Sequence, residues 1–216
     1  MLEVTQYSAA DLVKRSAAQI LYLSKKRQEI ISKRMENGTA FQSKIVKDSS
    51  LSNIVADEMR GCHSIKIDNT DIEIFYCIDM IKDGCFYEIK SVLDEFGNPT
   101  TEYPEWYLNS SLLQCAFYKA LLMIDKVSRL YTPKFRLKQG YKRSSCKIDS
   151  DNDYYLIFGD IAKYKIEVTD AKKIVDFYKK KIKSMTDFDS ARSFDEKNKF
   201  KEYNKLKKYF NVVKID

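Results

Sequence analysis

The sequence predicts an α/β domain, and three observations carry that expectation. Residues 72–92, IEIFYCIDMIKDGCFYEIKSV, read as two apolar strands joined by a tight turn at Lys82-Asp83-Gly84. Val, Ile, Phe and Tyr dominate both arms, and Asp-Gly between such arms favours a hairpin. A long helix is expected from about Glu105 to Val127, with Leu112, Leu113, Ala116, Phe117, Ala120 and Leu121 as its apolar stripe. A β-rich stretch follows, KFRLKQGYKR and then YYLIFGDIAKYKIEV, before the chain turns helical and basic.

In chain order, residues 8–35 read as one or two helices, with Ser8 as N-cap and Asp11 three residues on. Gly38 interrupts the chain, and NGTAFQSKIV (37–46) reads as a helix start capped by Thr39. Residues 50–60, SLSNIVADEMR, are expected to be helical, with Ile54, Val55 and Met59 on one side. HSIKID (63–68) is a first strand and Asn69 a turn residue before the hairpin. Gly97, Asn98, Pro99 and Pro104 mark the loop that precedes the long helix. Asn152-Asp153 and Gly159-Asp160 are turns within the β-rich stretch. Asp170 caps a basic helix, and a turn at 187–189 leads to a last helix from about Ser190 to Phe210.

Length suits one domain with a helical appendage: a core over 1–170 and a basic helical extension over 171–216. Charge supports the division. Residues 1–170 hold 24 Lys+Arg against 24 Asp+Glu, whereas 171–216 hold 14 against 7, which is the whole net charge of +7. A basic segment beside a neutral body suits contact with a polyanion, or is simply a solvated lysine-rich helix. No run of about eighteen apolar residues occurs, so no membrane partner is expected. The N-terminus has no basic start followed by an apolar stretch. Five scattered cysteines without a C-x-x-C pair favour free thiols in a reducing cytoplasm.

The hairpin carries the chemistry. Asp79 closes its first arm, and Glu88 and Lys90 share a face of the second. Two carboxylates brought close repel, and a divalent cation removes that cost. Their hard oxygens suit magnesium, and a lysine beside them can orient water or stabilise phosphate charge.

Asp79 followed by Glu88-Ile89-Lys90 resembles the PD-(D/E)xK nuclease superfamily. Three further segments fall in that superfamily's order. YSAADLVKRSAAQILY resembles the opening Ser-rich helix of RecB-type nucleases. NGTAFQSKIV resembles their first motif. Gln114-Cys115-Ala116-Phe117-Tyr118 resembles the Gln-x-x-x-Tyr helix of the RecB and CRISPR-adaptation exonuclease branch. The resemblance covers about residues 5–125. It implies a mixed central sheet flanked by helices, a restriction-endonuclease-like core. It also implies a Mg2+- or Mn2+-dependent deoxyribonuclease, acting on DNA ends in replication, recombination or packaging. A protein partner for specificity, and the cytoplasm of a bacterial or phage-infected cell, fit that role.

By the same resemblance, Asp79, Glu88 and the carbonyl of Ile89 hold the metal. Lys90 serves the water nucleophile, Gln114 steadies the site, and Tyr118 lines the substrate path. Gln42 stands where the family carries a histidine, and Glu58 is an alternative helical ligand. The iron–sulfur branch needs a cysteine near the first helix and three near the C-terminus; Ala17-Ala18 and a cysteine-poor tail imply no cluster. Arg192 either meets a phosphate or pairs with Asp195 or Glu196 on its own helix. Gln114 and Tyr118 also fit a plain buried hydrogen-bonding pair. Trp106, with Tyr103 and Tyr107, either stacks on unpaired bases or forms a core edge. The lone His63 reads as structural or exposed. The alternative to an enzyme is a DNA-binding or assembly module that keeps the fold without the chemistry.

Overall fold

The computed structural model describes residues 6–25, 54–94, 98, 100–124, 130–131, 134–137, 140–143, 146–147, 151–198 and 201–215. Its centre is a mixed seven-stranded sheet flanked by helices, the expected α/β class. The sheet strands are β1 (Gln6–Ser8), β2 (Ile54–Ile67), β3 (Thr70–Lys82), β4 (Cys85–Lys90), β9 (Tyr154–Phe158), β10 (Ala162–Val168) and β11 (Phe210–Ile215). Two small ribbons lie outside it: β5 (Leu130–Tyr131) with β8 (Cys146–Lys147), and β6 (Lys134–Leu137) with β7 (Gly140–Arg143). The helices are α1 (Ala9–Lys14), α2 (Ala17–Lys25), α3 (Glu105–Ile124), α4 (Ala171–Ser184), α5 (Phe188–Asn198) and α6 (Glu202–Leu206).

The long strand β3 organises the sheet. Along one edge it pairs antiparallel with β2, from Ile67↔Thr70 to Ile54↔Lys82. The other edge is divided. Residues 73–75 pair with β1 in parallel, and residues 80–82 pair with β4 antiparallel. Between those two ladders β3 has no backbone neighbour on that edge among the described residues, and Asp79 lies in the gap. Beyond β4, β9 pairs in parallel, and β10 and β11 follow antiparallel.

Local chemistry explains the β3–β4 hairpin. Lys82 pairs with Cys85, leaving a two-residue loop in which Asp83 and Gly84 have φ of +52° and +73°. Positive φ at both central positions is a type I′ turn, whose twist matches the flanking strands and which Asp-Gly adopts readily. The core forms between this sheet and α3. Ile72, Ile74, Tyr76 and Ile78 alternate along β3, and Tyr154, Leu156 and Phe158 alternate along β9. They meet Leu112, Leu113, Phe117 and Leu121 of α3, and Phe117 stacks on Tyr178 of α4 at 4.0 Å between centroids. Each such fully buried side chain contributes about 1.5–3 kcal/mol.

Two expectations are corrected. Residues 54–60 form the start of β2, not a helix. Ile54, Val55 and Met59 fit helical spacing over too short a span to decide, and the ladder to β3 outweighs it. Glu58 therefore sits on a strand and not on a helix. The last segment is not one helix to Phe210. α5 and α6 are followed by a 3-10 turn at Lys207–Tyr209, and then β11 joins the sheet through Val168↔Phe210 to Lys163↔Ile215. FNVVKI is β-branched and alternating, and burying Phe210 draws it onto β10. The basic segment thus completes the sheet as well as flanking it.

Gly61 on β2 faces Tyr76, and a Cβ on Gly61 would overlap the tyrosine ring. That ring in turn leans on Tyr118, with centroids 5.9 Å apart. Gly61→Ala is expected to lower stability in urea by about 1–3 kcal/mol through overpacking, with Tyr76→Leu restoring part of the loss.

Candidate active site

Asp79 and Glu88 stand one step beyond the last paired residues of β3 and β4, Met80↔Tyr87. Where the ladder stops, the Asp79 side chain replaces it: the Ile89 N–H donates to Asp79 Oδ2 at 2.8 Å. That bond holds Asp79 across the gap toward β4. Lys90 Nζ donates to Glu88 Oε1 in a close ion pair. Gln114 of α3 donates its amide to the same oxygen at 2.6 Å and lies 3.1 Å from Tyr118 Oη. Asp79, Glu88, Ile89, Lys90, Gln114 and Tyr118 are therefore gathered in one place.

Glu88 is only 2% exposed, and its second oxygen, Oε2, has no hydrogen-bond partner among the described residues. Gln114 Oε1 is likewise buried and, among the described residues, unpartnered. Such atoms cost about 1–3 kcal/mol each unless something satisfies them. The electrostatics match. Burial first, and the neighbouring Glu88 second, push Asp79 up to about 7. Burial disfavours the Lys90 ammonium, but Glu88 and Asp79 outweigh it, and its pKa is raised. Burial and Glu88 also push the Tyr118 phenol up, so it stays protonated.

A further cation joins the cluster from the N-terminal helix. Lys14 closes α1, and crowding first, then the Lys90 charge, pull its pKa down to about 8 against the pull of Glu88, Asp79 and Asp11. Lys14 keeps solvent contact. Nothing in the sequence ties it to residues 79–90; it sits beside them because β1 docks on β3 next to the gap and α1 follows directly. Ser8 caps α1 by accepting from the Asp11 N–H at 3.4 Å. The far end of α1 is fixed from the C-terminal segment. Lys181, fully buried, donates to the carbonyls of Leu12 and Arg15 and to Glu202 Oε1, each at 2.7 Å. Asp195 accepts from the N–H groups of Ala17 and Ala18 at 2.8 and 2.9 Å and so caps α2.

The remaining sequence candidates fall elsewhere. Arg192 is exposed on α5 and pairs with Glu196 at 3.2 Å, apart from the cluster. Gln42 lies outside the described residues. Glu58 lies on β2 between Asp57 and Met59, which pair with Met80 and Ile78, so its backbone is level with Asp79; its side chain lies outside the described residues. His63 is buried on β2. Tyr103 and Tyr107 pack on Phe158 as a core edge, while Trp106 is 67% exposed. Among the described residues, the carboxylates gathered at the candidate site are those of Asp79 and Glu88. Among the described residues no group of three or more His, Cys, Asp or Glu side chains is placed to hold an ion. The two carboxylates with a vacant buried oxygen, plus the Ile89 backbone, suit a hard cation that keeps part of its water shell.

No protein-family model matches the chain, and no curated protein matches it. Among the described residues no helix is long and apolar enough to cross a membrane. The fold itself has a precedent. A crystal structure of SSO0001 superposes with a TM-score of 0.54 over 87% of this chain and 79% of that one, at 16% identity, and shows that this arrangement of sheet and helices is shared.

Proposed function

We propose that this chain is a Mg2+- or Mn2+-dependent DNA nuclease of the PD-(D/E)xK type, acting on ends. The observation that carries the reading is the lopsided satisfaction of Glu88. Lys90 and Gln114 both donate to Oε1, while Oε2 is buried with no hydrogen-bond partner among the described residues. A purely structural ion pair would spread its donors over both oxygens. This arrangement instead leaves one buried oxygen of Glu88 for a cation, with the charge of Asp79 nearby.

A divalent cation there would polarise a phosphodiester and acidify a water. The chain's own residues do the rest. Asp79 and Glu88 hold the charge that retains the ion, and Gln114 fixes the Glu88 rotamer. Lys90 stands beside the cluster to orient the attacking water and to stabilise charge gathering on phosphate oxygens. Lys14, at the solvent side, offers a second positive charge to the incoming backbone. The basic face of 171–216 adds sequence-independent, salt-sensitive hold. Its setting would be the cytoplasm of a bacterial or phage-infected cell, with a replication or recombination protein supplying specificity.

The test is cleavage of end-labelled single- and double-stranded DNA with Mg2+ or Mn2+. Metal-dependent shortening from an end is the expected result. Tight DNA binding with no cleavage in either metal defeats the enzyme and leaves a binding module.

Metal uptake has its own signature. Without metal, the raised Asp79 binds its proton more tightly when folded than unfolded, so stability falls as pH rises from the ordinary carboxylate range through about 7. A cation must displace that proton below about pH 7 and need not above it. Saturating Mn2+ is therefore expected to raise Tm by roughly 5 °C at pH 8 and much less at pH 5.5. Asp79→Asn abolishes both the shift and its pH dependence; an equal shift in that variant would place the ion elsewhere.

A further inference from the structure

A concavity of about 390 Å³ opens beside α1 and α2, and among the described residues its wall is Arg15, Ala18, Gln19, Tyr22 and Phe188. Two large aromatic side chains are held out of the core here: Tyr22 is 50% and Phe188 53% exposed. The polar groups are those of a recognition site. Arg15 donates through Nε to Asp11 at 2.8 Å, and its other guanidinium N–H groups remain as donors. Gln19 Oε1 accepts from the Ser16 N–H at 3.0 Å, which leaves its amino group for an acceptor. The volume lies in the range of sites that take one small organic group, and apolar faces with a few polar donors are their usual lining.

We propose that this concavity is a subsite for an unpaired nucleobase of single-stranded nucleic acid. The base lies against Tyr22 and Phe188, and Gln19 and Arg15 meet its edge or the adjoining phosphate. Every base has a π-face, so such stacking is sequence-tolerant, and a guanidinium complements the phosphate charge. The proposal rests on the nuclease reading for its context. Arg15 directly follows Lys14 at the end of α1, and Lys14 lies near enough to the Asp79–Glu88 cluster for their charges to act on one another. A strand paired along its length cannot enter a concavity of this size, so the subsite selects frayed or single-stranded ends.

The experiment compares wild type with Tyr22→Ala/Phe188→Ala. Fluorescence anisotropy measures binding of labelled oligothymidylate, oligouridylate and a blunt duplex, with Ca2+ in place of Mg2+. Hydrolysis of bis(p-nitrophenyl) phosphate with Mn2+, a phosphodiester without bases, measures the chemistry separately. The double variant is expected to bind both single strands on the order of 10-fold or more weakly, while duplex binding and bis(p-nitrophenyl) phosphate hydrolysis stay at wild-type levels. Tyr22→Trp, which keeps a stacking face, retains binding. Unchanged single-strand affinity in the double variant, or equal weakening for duplex, overturns the subsite. Aromatic-dependent single-strand binding in a wild type that hydrolyses neither DNA nor the small diester supports the subsite and sinks the nuclease reading.

Discussion

Lys90→Ala is expected to lower Mg2+-dependent DNA cleavage by about 10²–10³-fold, the usual loss when one charge-stabilising donor is removed from a reacting phosphate or acyl centre. The protein should remain folded when Mn2+ is present. The lysine is the only ammonium bonded to Glu88 among the described residues, and Glu88 is 2% exposed. Removing one partner of a buried pair costs about 3–5 kcal/mol because the other charge is stranded. Bound metal would offset much of that loss, since its charge takes the place of the ammonium. Two measurements separate the effects. Circular dichroism with and without Mn2+ reads the fold, and initial rates on end-labelled DNA read the chemistry. A folded Lys90→Ala protein that cleaves at the wild-type rate would remove Lys90 from the mechanism. Lys90→Arg keeps the charge but replaces a compact ammonium by a planar fork, and is expected to restore the fold better than the rate.

Lys181→Met is expected to lower stability by about 3–5 kcal/mol in urea denaturation. Lys181 is a basic residue that contributes nothing to a charged surface. It is fully buried, and it satisfies two carbonyls at the end of α1 together with Glu202. Burial raises the Glu202 pKa, partly countered by Lys181. Without the ammonium, Glu202 keeps less reason to be charged, and the carbonyls of Leu12 and Arg15 lose their donor. Lys181→Met/Glu202→Leu replaces the pair by apolar atoms and should recover part of the loss. Cleavage should fall in the single variant even at temperatures where it is folded, because Lys14 rides on the helix that Lys181 pins. Wild-type stability in Lys181→Met would show that the buried bonds contribute no net free energy.

The parts of this structure governed by short-range chemistry were readable in the sequence. Asp83-Gly84 dictates its turn through two positive φ angles, Ser8 and Asp170 cap the helices they precede, and the stripe from Leu112 to Leu121 places α3 on the sheet. Spacing also puts Asp79, Glu88 and Lys90 together, since a tight hairpin makes two arms one surface. What escaped depends on partners far away. The first turn of β2 has helical spacing and becomes a strand only because β3 is there to pair with it. β11 is decided by β10, more than forty residues earlier. Lys14 carries no local mark. Its role comes from β1 docking on β3, a contact between residues 6–8 and 73–75. Lys181 reads as a member of a solvated basic helix and Asp195 as a partner for Arg192, and composition cannot tell an exposed lysine from one folded against helix carbonyls.

The bonds from Lys181 and Asp195 back to residues 12–18 have a consequence for the order of assembly. These contacts span 166 to 178 positions. Contacts of such long range form late, after the intervening chain has condensed. During synthesis the acids and Lys90 can come together on their hairpin long before the residues that brace α1 have left the ribosome. A half-made polypeptide thus holds the two acids and Lys90 without the bonds that fix α1 beside them, and the finished arrangement waits until translation has passed Glu202.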